Sequence, residues 1–330
     1  MRKVTIGFAL FIILAVAAYL RLRRPRPALE IDYAANREVK VWNTTAVVRQ
    51  AVTTVSFGER LDVLRRSEEQ VEVRTSQGFT GWVNQHELIS SELWDKAEQR
   101  TKEASVMPVE ARGHTRVLSN LHVEPGRDEP RLRQLSRNVP VDLLERKVVA
   151  APVKNESESE ADDSAAGSQG KPEDWWFVLA HTTDGESTAG WMLGRFVDLD
   201  VPQPLPDYAS SAGMRVVSWF ELNRVKDASG NPRPQYLVLG GKGPEGQACD
   251  FTELRVYTWA VKHGRYETAF VDSNVCGKLP LAFTHESPNA LTFSFEELNG
   301  AASEQRTYRM IETIVRRVRG GTEARRRAHS

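Results

Sequence analysis

Short runs of alternating apolar and polar residues, punctuated by turn residues, cover most of the chain and predict strands. In "RLDVL" and "VEVRT" the alternation sets Leu61, Val63, Val71 and Val73 on one buried face, because successive strand side chains point to opposite sides. After Val216 the same pattern predicts strands at 216–222, 235–239, 253–262, 265–273, 290–297 and 307–315, with "KHGRY" as a hairpin turn. Six strands and hardly any helix predict an antiparallel sandwich or barrel over 214–318. Helix formers without Gly or Pro predict one short helix in 90–104. A different pattern opens the chain: the uncharged run Val4 to Leu20 lies between Arg2-Lys3 and Arg21, Arg23, Arg24 and Arg26. It predicts a transmembrane anchor over 1–24. A cleavable signal peptide with Ala15-Val16-Ala17 at its site is the alternative, disfavoured by the arginines that would follow the cut.

Composition shifts divide the remainder. A linker at 25–36 precedes a strand-rich segment at 37–90, and a helical linker follows at 91–112. A second strand-rich segment covers 113–200 and carries an acidic insert at 154–172, expected to be disordered. A proline-rich spacer at 201–213 leads to the C-terminal β domain, and a basic tail occupies 319–330. The two strand-rich segments read as copies of one pattern. "AVVRQ", "GERLDVL", "VEVR" and "GWVNQHEL" in the first match "NLHVEPG", "NVPVDLL", "WWFVLA" and "GWMLGRFV" in the second, in order.

This order resembles the bacterial Src-homology-3-like domain, a family with a Val-Arg strand, a glycine turn into an aliphatic strand and a closing Gly-Trp-Val hairpin. The first copy keeps Val48-Arg49 and Gly78-Phe79-Thr80-Gly81-Trp82-Val83. The second has Pro125-Gly126 and Trp175-Trp176, with Val123-Glu124 in place of Val-Arg. The resemblance implies two small barrels. It also implies targeting to cell-wall material such as peptidoglycan, or to a partner protein. Trp82 and Trp191 are read as core residues first and ligand-stacking residues second. Trp175 and Trp176, as strand neighbours, point to opposite faces, so one is expected buried and the other exposed beside the acidic insert as a recognition element.

Candidate chemistry is sparse. Lys plus Arg equals Asp plus Glu, 44 each, so no global field favours nucleic acid, and no nucleic-acid partner is expected. Cys249 with His263 or His285 is the one thiol–imidazole option, without a recognisable orienting group. Cys249 and Cys276 have neither close Cys nor close His pairs, so they do not form a zinc site. A lone pair within one domain suits a disulfide in an oxidising compartment, with two buried thiols as the alternative. No catalytic residue, metal site or cofactor is expected. The reading is a non-enzymatic, membrane-anchored envelope protein of mostly β fold, single-pass in the cytoplasmic membrane with its body outside. The alternatives are a cytoplasm-facing interaction or signalling protein that binds peptides, and an accessory subunit of a wall hydrolase.

Overall fold

The computed structural model describes residues 26–151, 170–182 and 185–318, and the chain divides into two compact units, Met1–Trp94 and Asp95–Ser330. In the first unit, strands β1 (Glu30–Ala34), β2 (Glu38–Trp42), β3 (Ala51–Ser56), β4 (Arg60–Ser67), β5 (Gln70–Thr75), β6 (Thr80–Asn84) and β7 (Leu88–Ser90) form one antiparallel sheet. Their order is β3-β2-β6-β5-β4-β1-β7. Its core is Val39, Val41, Val55, Leu61, Val63, Val71, Val73 and Val83, with Ala34. β-branched valine dominates because it packs well on a pleated surface.

The second unit repeats this plan. Strands β8 (Ala111–Thr115), β9 (Ser119–His122), β10 (Arg131–Leu135), β11 (Pro140–Ala150), β12 (Pro172–His181), β13 (Ser187–Leu193) and β14 (Val197–Leu199) pair in the order β10-β9-β13-β12-β11-β8-β14. That is the first order with every index raised by seven. The finer details repeat too. The register shift between Val63 and Arg65 in β4 recurs between Leu143 and Glu145 in β11. The 3-10 turn Gln85–Glu87 recurs as Gly194–Phe196. Glycine precedes the tryptophan in each copy for a steric reason. A Cβ on Gly81 would lie 2.5 Å from the carbonyl oxygen of Trp42, and one on Gly190 3.0 Å from that of His122. Those carbonyls belong to the register partners of Trp82 and Trp191.

The copies differ in their outer faces. In "QVEVR" the strand alternates, whereas β12 is buried from Glu173 to Ala180. Trp176, Val178 and Ala180 enter the core on one face of the sheet, while Trp175, Phe177 and Leu179 form a second cluster with Trp191, Leu193 and Ala104 on the other. Ala104 ends helix α1 (Ser91–Ala104), and Met107 and Val109 complete the cover.

Helix α2 (Leu205–Ser211) follows, and then two four-stranded meanders. The first is β15 (Arg215–Lys226), β16 (Pro232–Gly241), β17 (Glu253–Ala260) and β18 (Arg265–Asp272). The second is β19 (Gly277–Ser287), β20 (Ala290–Asn299), β21 (Ala302–Ile311) and β22 (Ile314–Val318). Leu237, Leu239, Leu254 and Val256 of the first meander join Leu291, Phe293, Tyr308 and Met310 of the second in one core. The opposite face of the first meander packs Tyr236, Val238 and Tyr257 against Leu205 and Ala209 of α2. Cys249 and Cys276 form a disulfide with Cα atoms 4.9 Å apart, closing the loop that contains the β17–β18 hairpin.

Several expectations are corrected. Among the described residues no helix is long and apolar enough to cross a membrane. The 14-residue α1 carries charge through its length, including Glu92, Asp95, Lys96 and Glu98. Over the described residues the fold is mostly β with no membrane-spanning helix, so the transmembrane helix, the signal anchor and the single-pass membrane localisation are withdrawn. The 1–24 segment itself lies outside the described residues, as do the basic tail 319–330 and insert residues 152–169. The 25–36 linker contains β1, which pairs with β4 and β7. The 91–112 linker contains the start of β8, and the 201–213 spacer contains α2. Ala46 to Gln50 is a loop rather than a strand. The C-terminal region has eight strands: β19 was not foreseen, and the last predicted strand is a hairpin of β21 and β22.

Arg146 of β11 is 9% exposed as a residue and fastens the β16–β17 loop to the β8–β14 sheet. Its guanidinium donates to Asp174 at 2.5 Å, to Asp250 at 2.8 Å and to the Gln247 carbonyl at 3.0 Å. Asp250 also accepts from Lys278 Nζ at 2.7 Å and Leu279 N–H at 2.9 Å. Removing one partner leaves buried charge uncompensated, so Arg146→Ala is expected to destabilise the second unit by about 3–5 kcal/mol. Exposed Arg60→Ala serves as the near-neutral comparison in denaturant titration. The disulfide spans 27 positions. Replacing both cysteines by serine is expected to cost about 3 kcal/mol in denaturant titration, with a larger m because the unfolded chain opens further.

Candidate functional site: an indole face on the first sheet

Alternation along "EVKVW" sends Val39 and Val41 inward and Glu38, Lys40 and Trp42 outward. Trp82 stands on the same outer surface, because Gly81 and Val83 face the interior. Trp42 and Trp82 are register partners across β2 and β6, and both are half-buried. Each indole lies under a cation. Arg49 sits 4.3 Å and Lys40 5.8 Å from the Trp42 ring, and Arg65 sits 4.7 Å from the Trp82 ring. Such contacts are worth about 0.5–1 kcal/mol at exposed sites and orient the guanidinium flat on the ring.

The loop 43–50 closes on itself, with Asn43 N–H donating to the Gln50 carbonyl and Gln50 N–H donating to Asn43 Oδ1, both at 3.0 Å. This closure presents Val47 and Val48 to solvent, 100% and 90% exposed. Beside the loop lies a groove of about 450 Å³ bounded by Trp42, Lys40, Arg49, Glu38, Glu87 and Asn84. An indole wall, two exposed valines and charges of both signs suit an extended peptide: the ring covers apolar side chains and the charges meet their complements.

The four tryptophans singled out in the sequence separate. Trp82 alone contributes to this face. Trp175 and Trp191 are 1% and 0% exposed beneath α1 and the segment that follows it, so they do not stack on a ligand. Trp176 is 6% exposed, which corrects the expectation that one of the Trp175-Trp176 pair is open to solvent. It lines a cleft of about 690 Å³ within the second unit, with Met214, Val217 and Ala209 and with Arg116, Arg195 and Arg215. Those arginines are already engaged. Arg116 donates to Asp198 at 2.5 Å, Arg195 donates to Glu173 at 2.9 Å, and Arg215 lies 3.9 Å from Asp174. A hydrogen bond from Arg127, joined by that from Arg195, holds the Glu173 carboxyl below the usual carboxylate range. Glu173 and Asp174, which directly follow the acidic insert in sequence, are buried ion-pair partners in β12.

Trp42 was missed in the sequence, although it had a signal: an aromatic on the polar side of an alternating strand. The burial of Trp175 also had one, since "WWFVLA" lacks alternation and so reads as a strand covered on both faces. Cys249 is held in the disulfide, which removes its pairing with His263 or His285. Among the described residues no group of three His, Cys, Asp or Glu side chains is placed to hold a metal ion.

No family model and no curated protein match the chain. Among solved structures, an NlpC/P60 family protein from Bacillus cereus ATCC 10987 is similar at 10% identity, with a TM-score of 0.22, over 68% of this chain and 90% of that one. NlpC2 from Trichomonas vaginalis is similar at 9% identity, with a TM-score of 0.18, over 74% and 93%. At these TM-scores the likeness carries no argument.

One buried carboxyl in the second unit titrates near neutrality. Glu110 is 2% exposed, and its Oε2 has no hydrogen-bond partner among the described residues. Burial pushes its carboxyl up to about 7, opposed by a hydrogen bond from the Leu281 backbone and assisted by the charge of Asp250. Between about pH 4.5 and 7 the folded chain keeps a proton there that the unfolded chain has lost, so this group's contribution to stability falls as pH rises and is level above 7. Glu110→Gln is expected to flatten the stability profile in that window and to stabilise the protein at pH 8 by about 2–3 kcal/mol. Urea titrations of both proteins at pH 5 and pH 8 check it, and equal pH slopes would refute it.

Proposed function

We propose that this is a non-enzymatic binding and scaffolding protein built on two Src-homology-3-like modules, the first of which binds a peptide segment. The source of that peptide is a partner protein or the peptide part of cell-wall material. What carries the reading is the Trp42–Trp82 face, where two half-buried indoles lie beside two bare valines on a closed loop. Monomeric proteins rarely leave such residues together without a use for them. Burying an indole and its cation at the centre of an interface contributes on the order of 2 kcal/mol or more. The second module supports the division of labour. Its corresponding outer face is apolar and already covered by the chain's own helix, so it acts as framework.

The test uses the full-length protein on an array of mixed-charge peptides and on purified insoluble peptidoglycan, which separates the two sources. Arg49→Ala and the double variant Val47→Ser, Val48→Ser alter only exposed side chains and leave the core intact. Each is expected to weaken binding at least tenfold on the array, on the wall material, or on both. Unchanged binding in both variants would reject the first module as the binding face. Absence of binding to either material would reject the peptide reading itself.

A further inference from the structure

The C-terminal β domain carries a second aromatic surface that the sequence did not announce. On the face of the β15–β18 meander turned away from the sandwich core, the rings form a continuous chain. Trp219 meets Tyr236 at 5.9 Å between ring centroids, Tyr236 meets Tyr266 at 5.7 Å, and Tyr266 meets Trp259 at 5.2 Å. Tyr208 of α2 stacks on Tyr257 at 5.6 Å with an interplanar angle of 22°. Between α2 and β18 lies a groove of about 470 Å³, floored by Tyr257 and walled by Tyr208 and Tyr266, with Arg255, Arg265 and Glu267 along its rim.

The charges around this groove are balanced. Arg255 is paired with Glu253, Arg265 lies 3.2 Å from Glu267, and His263 lies 2.7 Å from the same carboxylate. Arg233 pairs with Asp227 at 3.0 Å and lies over Trp259 at 4.7 Å. The tyrosine hydroxyls stay neutral: burial raises those of Tyr236 and Tyr257 and pushes that of Tyr266 up to about 12. Tyr236 and Tyr266 also hydrogen-bond each other. The surface therefore has no net field to attract an anion or a cation. It offers flat aromatic faces, and in-plane donors and acceptors held rigidly by their mutual pairs.

That combination matches the two-sided chemistry of a pyranose ring. One face of the ring is lined with C–H bonds that pack on the electron-rich face of an aromatic side chain. Its edge is lined with hydroxyl pairs that bind guanidinium and carboxylate groups side by side. The groove has the volume of a small-ligand site and is open along the sheet, as a chain-like ligand requires. We propose that the groove between α2 and β18 is a binding site for a neutral glycan, with sugar rings stacked on Tyr208 and Tyr266 and hydroxyls bound by Arg265 and Glu267. The site lies wholly within the second unit and does not rest on the peptide reading of the first sheet.

The experiment is calorimetric titration of the full-length protein with three probes: a β-1,4-linked N-acetylglucosamine hexamer, cellohexaose and a sulfated hexasaccharide. Saturable binding of at least one neutral probe is expected, with weaker or no binding of the sulfated one. Tyr266→Ala is expected to reduce the affinity at least tenfold. Because that variant removes a packed ring, Arg265→Ala at the exposed rim is the second test, with an expected loss of at least fivefold and an unchanged melting temperature. Arg49→Ala, on the other unit, is expected to bind the glycan like the parent protein, so the two sites fail separately. Preference for the sulfated probe, neutral binding insensitive to both groove variants, or no saturable binding of any probe would each overturn the proposal.

Discussion

The buried pairing of Arg146 with Asp174 and Asp250 holds the second unit together. Arg146 lies on β11, Asp174 on β12 and Asp250 on the loop tied by the disulfide, so one guanidinium joins the β8–β14 sheet to the C-terminal meanders. Its planar fork makes this possible, since two carboxylates and a backbone carbonyl occupy separate N–H directions at once. Glu110's own burial holds the proton on its carboxyl, and the charge of Asp250 adds to the effect. In the first unit the residue at the corresponding strand position, Arg66, instead pairs within its own sheet, with Asp32 at 2.7 Å. The same strand position thus ties neighbouring strands within one sheet and couples the other sheet to the C-terminal meanders.

The two segments share one strand plan and contrast in their outer faces. Both copies keep the strand order, the register shift after the Asp-aliphatic pair and the glycine that lets β6 and β13 approach a carbonyl. They diverge where Gln70 and Glu72 correspond to Trp175 and Phe177 by register. Apolar side chains there required a cover, which Ala104, Met107 and Val109 provide. Polar side chains there are met by charged partners instead, Arg26 and Arg65 on Glu72, and Trp42 and Trp82 remain half-buried on that surface.

Exposed aromatic chemistry therefore occurs at two places of different character. On the first sheet the indoles lie among charges of both signs and beside a closed loop with two bare valines, which suits a peptide. On the C-terminal meander the rings lie among paired charges, which suits a neutral, hydroxyl-rich chain. The cleft beside Trp176 belongs to neither class. Its arginines are spent on Asp174, Asp198 and Glu173, and its apolar lining is part of the second unit's packing.

The sequence alone determined the strand-rich character, the repeated pattern and the inward faces of "RLDVL" and "VEVRT", because period-two alternation is a local property of the chain. It also paired the Gly-Trp elements of the two copies, although the reason for the glycine, a carbonyl one strand away, is tertiary. Only the tertiary structure decided which tryptophans meet solvent. Burial depends on what covers a face, and the cover of Trp175 and Trp191 comes from residues up to Val109, far from them in the chain. It likewise decided that β1 belongs to the first sheet and that the proline-rich 201–213 stretch holds a helix, since pairing with β4 and packing of Leu205 on Tyr236 and Val238 outweighed local composition. The aromatic groove of the C-terminal domain was illegible for the same reason: Tyr208, Tyr257 and Tyr266 stand on three separate elements, and only the fold brings them together.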